Sequence, residues 1–96
     1  MTTITEAEFV RIVDGIREDR AAIIKHNPIG PDDEILLWML LAVLSSYLNL
    51  NDDEMPCFPG KPDANTYRDA IMFVLQDRIA DEFEPGKYLD RLTNAN

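Results

Sequence analysis

The chain has 96 residues, of which 46% are apolar and 28% are charged. This composition supports one folded domain with a single core and excludes separate catalytic and binding domains. A formal net charge of −9 opposes attraction to nucleic-acid phosphates and to anionic lipids, so we expect neither nucleic acid nor membrane as a partner.

The single cysteine, Cys57, cannot form an intrachain disulfide. The segment from Met1 to Glu6 has neither the basic nor the apolar region of a secretion signal. Together these features predict a cytoplasmic protein.

The first predicted helix covers about residues 5–26. Thr5, followed three residues later by Glu8, has the pattern of a capping box. Apolar residues then recur at helical spacing from Phe9 to Ile24. Pro28 ends this helix, because its ring disfavours helical geometry in the preceding residue.

The second predicted helix covers about residues 32–49 and contains the longest apolar run, Ile35 to Leu44. Ten residues are too few for a bilayer span, which takes about 20. A helix that is apolar on every face is expected to be covered all round. We therefore expect this helix to form the centre of the core.

Residues 51–62 contain three prolines and a glycine and are predicted to form a loop. Apolar residues at helical spacing, from Tyr67 to Phe83, then predict a third helix over 63–83, and a short helix is expected over 87–92. The sequence thus predicts a single all-α domain over 1–96, a small three- to four-helix bundle with a central apolar second helix.

Patterns typical of catalysis are lacking in the sequence. His26 is the only histidine, and there is no glycine-rich phosphate loop and no nucleophile elbow. We therefore predict no metal site, no cofactor and no enzymatic activity. Two acid pairs at helical spacing, Asp14 with Glu18 and Asp77 with Asp81, keep a magnesium-dependent hydrolase as an alternative, although an arginine beside each pair indicates a solvated salt-bridging face.

Acidic residues flank the apolar second helix in a stretch that has no basic residue between Lys25 and Lys61. The first acidic triad is Asp32, Asp33 and Glu34, and the second acidic triad is Asp52, Asp53 and Glu54. The helix dipole favours the first triad but disfavours the second, which follows the end of the helix. The second triad therefore either solubilises the loop or binds a basic partner beside the apolar residues of that loop.

Three segments resemble the helical immunity proteins that neutralise colicin- and pyocin-type nucleases. Residues 4–10, ITEAEFV, are similar to the first helix of that family, and residues 32–36 resemble the start of its acidic second helix. Residues 53–59 are placed like its short third helix. The resemblance implies a non-enzymatic inhibitor that binds a cationic nuclease through both acidic triads, with Phe58 as the apolar anchor.

A second hypothesis is a homo-oligomeric interaction module with a structural or regulatory role. Two amphipathic helices cover only part of the apolar second helix, so a second copy of the chain is a candidate to close its remaining face. Trp38 and Leu41 are the predicted self-association residues. The expected partner is therefore a protein, either a second copy in a homodimer or a basic protein.

Overall fold

The computed structural model describes residues 3–28 and 30–93, and over these residues the fold is all-α. Its helices are α1 Glu6–Glu18, α2 Arg20–His26, α3 Asp32–Tyr47, α4 Ala64–Leu75 and α5 Pro85–Thr93, and a single 3-10 turn covers Asp52–Glu54. The predicted all-α class is confirmed, but the described residues form more helices than the three or four expected. The ends of the predicted 1–96 domain fall outside the described residues.

The predicted helix over 5–26 is divided at Asp19, which has φ −91° and ψ 8° and separates α1 from α2. The predicted capping box is present, since Thr5 Oγ1 accepts the amide of Glu8 at 3.2 Å and the Glu8 carboxylate accepts the amide of Thr5 at 3.1 Å. Helix α1 buries Phe9, Val13 and Ile16, whereas α2 has no fully buried residue. The division therefore falls where the chain leaves the centre of the core.

Helix α3 is the central element of the fold, because α1, α2, α4 and α5 all pack against it. It ends at Tyr47 in a Schellman motif, two residues before the predicted end. Asn49 adopts a left-handed φ of 53°, and the amides of Asn49 and Leu50 bond to the carbonyls of Ser46 and Ser45. Asparagine tolerates this backbone conformation better than most residues, which makes it a suitable helix stop.

The core is made of apolar side chains, and its largest contribution comes from α3. Six α3 residues are buried, namely Ile35, Leu36, Leu37, Leu40, Leu41 and Leu44. Within the single chain, however, this helix is not covered all round. Trp38, Met39 and Val43 are half-buried and Ala42 is exposed, because the four surrounding helices leave one face of α3 open.

Helix α4 ends at Leu75, eight residues before the predicted end of the third helix at 83. Beyond it the chain turns, and Ile79 forms a parallel bridge with Ile4. The amide of Ile4 donates to the carbonyl of Arg78 at 2.8 Å, and the amide of Ala80 donates to the carbonyl of Ile4 at 2.9 Å. These hydrogen bonds with the N-terminal segment take the place of the helical hydrogen bonds that residues 78–80 would form. The helical spacing of apolar residues therefore continues to Phe83 although the helix has ended.

Helix α4 runs in the same direction as α3. Near the start of both helices, Ile35 and Tyr67 line one pocket, while beyond their ends Asp53 and Asp77 line another. Residues 55–63 must therefore return along the length of α3. This arrangement places the second acidic triad beside the end of α4.

The last helix, α5, is longer than the predicted 87–92 because Pro85 begins it. Proline suits the first position of a helix, where its missing amide proton has no intrahelical role. Pro85, Leu89 and Leu92 are buried. Among residues 3–28 and 30–93, no helix has the length and apolar content needed to cross a membrane.

Candidate protein-interaction surface

Helix α4 carries an aromatic ring that the fold leaves in solvent. Phe73 is 67% exposed and its neighbour Met72 is 42% exposed. The buried face of α4 is formed by Ala70, Ile71, Val74 and Leu75. Residues 72 and 73 fall outside that face because each helical residue is rotated by about 100° from the one before it. Phe73 is thus the most exposed large apolar side chain among the described residues.

Acidic residues lie beside this ring. A groove of about 380 Å³ is lined by Phe73 together with Asp53, Glu54, Val74, Gln76, Asp77 and Arg78. Asp53 and Asp77 are exposed, and neither forms an ion pair with another described residue. We call Phe73, Asp53, Glu54, Asp77 and Arg78 the Phe73 surface. It combines an apolar centre with a mainly negative rim.

An ion pair fixes the acidic side of the Phe73 surface. The guanidinium of Arg78 donates to the carboxylate of Glu54, whose Oε1 also accepts the amide of Asn51 at 3.2 Å. The Asn51 amide, followed by Arg78, lowers the pKa of Glu54. Because the carbonyl of Arg78 accepts the amide of Ile4, the 3-10 turn is linked through Arg78 to the N-terminal segment.

We expect the Glu54–Arg78 pair to stabilise the protein at neutral pH but not in acid. The folded-state pKa of Glu54 lies below its ordinary value of 4.5, so the unfolded chain binds the proton more readily. The stabilisation is therefore complete above about pH 4.5 and is lost as the pH falls through the lowered folded-state pKa. Glu54→Gln should lower the free energy of unfolding in urea at about pH 7, and the difference from wild type should narrow as the pH is lowered from about 4.5 towards 3.

Glu82→Gln is the matched control for this pH dependence, since Glu82 is exposed and has no ion pair with a described residue. The free energy of unfolding of Glu82→Gln should equal that of the wild type at about pH 7 and at about pH 3. A Glu54→Gln difference that persists unchanged at about pH 3 would show that the carboxylate charge is not the cause.

The first acidic triad lies at the opposite end of α3 from the second. Helix α3 begins with the first triad and has 16 residues, which corresponds to a length of about 24 Å. Asp32 pairs with Arg20 at 3.2 Å, and Glu34 lines a pocket with Lys61 and Tyr67. Burial, with a contribution from the Glu34 charge, raises the pKa of Tyr67. The structure thus separates the two triads that sequence reasoning assigned to one binding site.

The predicted apolar site residues Phe58, Leu41 and Trp38 are less accessible than Phe73. Phe58 is half-buried and packs edge-on against Tyr67, with ring centroids 5.4 Å apart. Leu41 is only 4% exposed and lies in the core, so it offers almost no surface to a second copy. Trp38 is half-buried on the open face of α3. Cys57 is an exposed free thiol.

Of the two acid pairs that suggested a hydrolase, one is arranged as the sequence predicted, since Asp14 and Glu18 both lie in α1 and line one groove with Arg17. Asp77 and Asp81 follow the end of α4, so they do not share a helix face. Asp14 pairs with Arg91 of α5 at 3.4 Å. Over the part of the chain that the structure describes, no group of three or more histidine, cysteine or acidic side chains is placed to hold a metal ion.

Comparison of the chain with protein-family models, with curated proteins and with solved structures finds no match. An exposed ring between carboxylates has the apolar centre and polar rim of a protein interface.

Sequence reasoning missed Phe73, although the sequence contained a signal for it. The apolar positions of α4 from Tyr67 to Leu75 define one buried stripe, and Met72 and Phe73 are out of phase with that stripe. Two large apolar residues on the polar side of an amphipathic helix are expected to lie in solvent, as Met72 and Phe73 do.

Proposed function

We propose that this chain is a non-enzymatic protein-interaction module that binds a basic protein through the Phe73 surface. The observation that carries the proposal is the 67% exposure of Phe73 beside Asp53, Glu54 and Asp77. Aromatic residues at the centre of an interface and charges at its rim are the usual arrangement of protein-binding sites.

The apolar centre would supply most of the affinity. Burial of apolar surface contributes about 25 cal/mol per Å², and Phe73, with Met72 beside it, has more accessible apolar side chain than the other phenylalanines of the described chain. An exposed ring adds nothing to the core of the monomer, but a partner with an apolar socket would remove it from water.

The charged rim favours a basic partner. Asp53 and Asp77 are not neutralised by any described residue, and the whole chain carries a net charge of −9. Complementary charge increases the rate of encounter and excludes partners of the same sign. Lysine and arginine side chains around the apolar socket would therefore match this surface.

An inhibitor of a basic nuclease, as the resemblance to the immunity proteins implies, is one specific form of this proposal. The acidic 3-10 turn Asp52–Glu54 beside an exposed aromatic ring supports it. The apolar anchor would be Phe73 of α4, however, because Phe58 packs against Tyr67. The first acidic triad, about 24 Å away along α3, would lie outside a small interface centred on Phe73.

Charge reversal at the rim tests the proposal. The wild type and a double variant, Asp53→Lys with Asp77→Lys, are immobilised at equal density, and proteins are captured from a lysate of the cells that produce the chain. A basic protein should bind the wild type at about 0.05 M salt and be released at about 0.5 M, because its attraction is screened. With that protein purified, the double variant should lower the association rate at least about tenfold at low salt.

A second double variant, Glu18→Lys with Asp19→Lys, is the matched control. It makes the same change in net charge at two exposed positions outside the groove. Its association rate should fall much less than that of the rim variant. An equal fall in both variants would mean that the net charge of the chain controls the association rate and that the Phe73 surface is not the docking site.

A further inference from the structure

The groove beside Phe73 contains more negative than positive charge. The carboxylates of Asp53, Glu54 and Asp77 line it, against the single guanidinium of Arg78. Arg78 is neutralised by its ion pair with Glu54. Asp53 and Asp77 form no ion pair with another described residue, so their two negative charges can attract a cation from outside the chain.

These two carboxylates come to the groove from separate elements. Asp77 follows Phe73 by four residues, about one helical turn, whereas Asp53 belongs to the 3-10 turn. Both line the same groove as the Phe73 ring. A cation that contacts the ring and both carboxylates therefore needs a flat face and hydrogen-bond donors that point in more than one direction.

An arginine side chain has this shape. Its guanidinium is planar, stacks on aromatic faces and carries five N–H donors at its edge, enough to bind two carboxylates at once. A lysine ammonium is more strongly hydrated and acts as a point charge. An apolar side chain in the groove would remove carboxylates from water without giving them a hydrogen-bond donor, which is unfavourable.

A divalent cation fits the groove less well than an arginine. Such an ion takes several oxygen ligands at about 2–2.6 Å. Within residues 3–28 and 30–93, no three or more acidic, histidine or cysteine side chains are grouped closely enough to supply them.

We propose that the basic partner inserts an arginine side chain into this groove, with its guanidinium against the Phe73 ring and its N–H groups donating to Asp53 and Asp77. This inference rests on the proposed function, because it names the partner's contact at the Phe73 surface. The groove has a volume of about 380 Å³, enough for one such side chain, and its lining includes Val74, which offers apolar contact to the methylene stem.

The arginine adds to the apolar contact and does not replace it. Phe73 is 67% exposed, and a guanidinium on one face of the ring covers only part of that surface. The rest of the ring and the neighbouring Met72 remain available to the apolar socket of the partner.

Titration with two small probes of equal charge tests the arginine contact. N-acetyl-arginine amide or N-acetyl-lysine amide is added to isotope-labelled wild type at about 0.05 M salt, and the amide signals of Asp53, Phe73 and Asp77 are followed by NMR. Both probes screen charge equally, so a difference between them reports the head group. The dissociation constant of the arginine probe should be at least about threefold below that of the lysine probe.

Variants separate stacking from charge attraction. Phe73→Leu keeps an apolar side chain but removes the ring, so the arginine probe should lose its advantage over the lysine probe. Asp53→Asn with Asp77→Asn should weaken both probes at least about threefold. Glu18→Gln with Asp19→Asn removes the same charge at exposed positions outside the groove and should leave both dissociation constants as in the wild type.

Equal dissociation constants for the two probes, or an arginine preference that survives Phe73→Leu, would overturn the arginine contact. The absence of a saturable shift at the groove up to about 0.1 M probe would overturn it as well. None of these results affects the capture of a basic protein by the immobilised chain. Failure of the proposed function shows in that separate experiment, as the absence of any basic protein bound at about 0.05 M salt.

Discussion

Phe9→Ala is expected to lower the free energy of unfolding by about 3–5 kcal/mol. Phe9 is 0% exposed, and its ring lies 5.7 Å from that of Phe83 and 5.9 Å from that of Tyr88. These contacts join α1 to α5 and to the segment before it. Truncation to alanine removes apolar burial and leaves a cavity that the neighbouring rings fill only in part. Urea unfolding followed by circular dichroism measures the loss.

Phe73→Ala is the matched control, since it deletes the same atoms at a site that is 67% exposed. Its free energy of unfolding should stay within about 0.5 kcal/mol of the wild type. A similar loss of unfolding free energy in Phe9→Ala and Phe73→Ala would mean that the Phe73 ring is buried against the rest of the protein in solution. The Phe73 surface would then have no apolar centre.

The same Phe73→Ala variant is expected to raise the dissociation constant of the complex with the basic partner at least about 30-fold, the equivalent of about 2 kcal/mol. A central aromatic side chain acts mainly after encounter, so the change should appear in the dissociation rate. Rim reversals such as Asp53→Lys should instead change the association rate and its salt dependence. Surface plasmon resonance with the purified partner separates the two rates.

Phe58→Leu is the comparison variant for this result. Phe58 is the anchor implied by the resemblance to the immunity proteins, but its ring lies against Tyr67. Leucine keeps the apolar contact, so binding should remain close to that of the wild type. Loss of binding in Phe58→Leu together with normal binding in Phe73→Ala would show that Phe58 of the loop is the apolar anchor, and it would contradict the proposed surface.

Local patterns predicted the positions of most helices. The capping box at Thr5, the proline after α2 and the apolar run of α3 each depend on neighbours within a few residues, which a sequence displays directly. The packing of four helices against α3 follows from the same apolar run, because so many large apolar residues need several packing partners. The sequence could not show which face of α3 these partners leave open.

The end of α4 shows why local spacing was insufficient. Ile79 and Phe83 continue the helical spacing of the preceding apolar residues, yet Ile79 bridges to Ile4 and Phe83 packs near Phe9. Both contacts are with residues more than 70 positions earlier in the sequence. A helical pattern carries no information about such distant backbone partners, so the predicted helix over 63–83 extended too far.

By itself the sequence determined the all-helical class, the apolar central helix and the excess of acidic residues. These properties follow from local periodicity and composition, which need no knowledge of packing. Only the tertiary structure decided which acidic and apolar residues share a surface. The tertiary structure placed the two acidic triads at opposite ends of α3 and buried Leu41. It also left Phe73 exposed beside Asp53, because α3 and α4 run in the same direction and the end of α4 therefore lies next to the 3-10 turn.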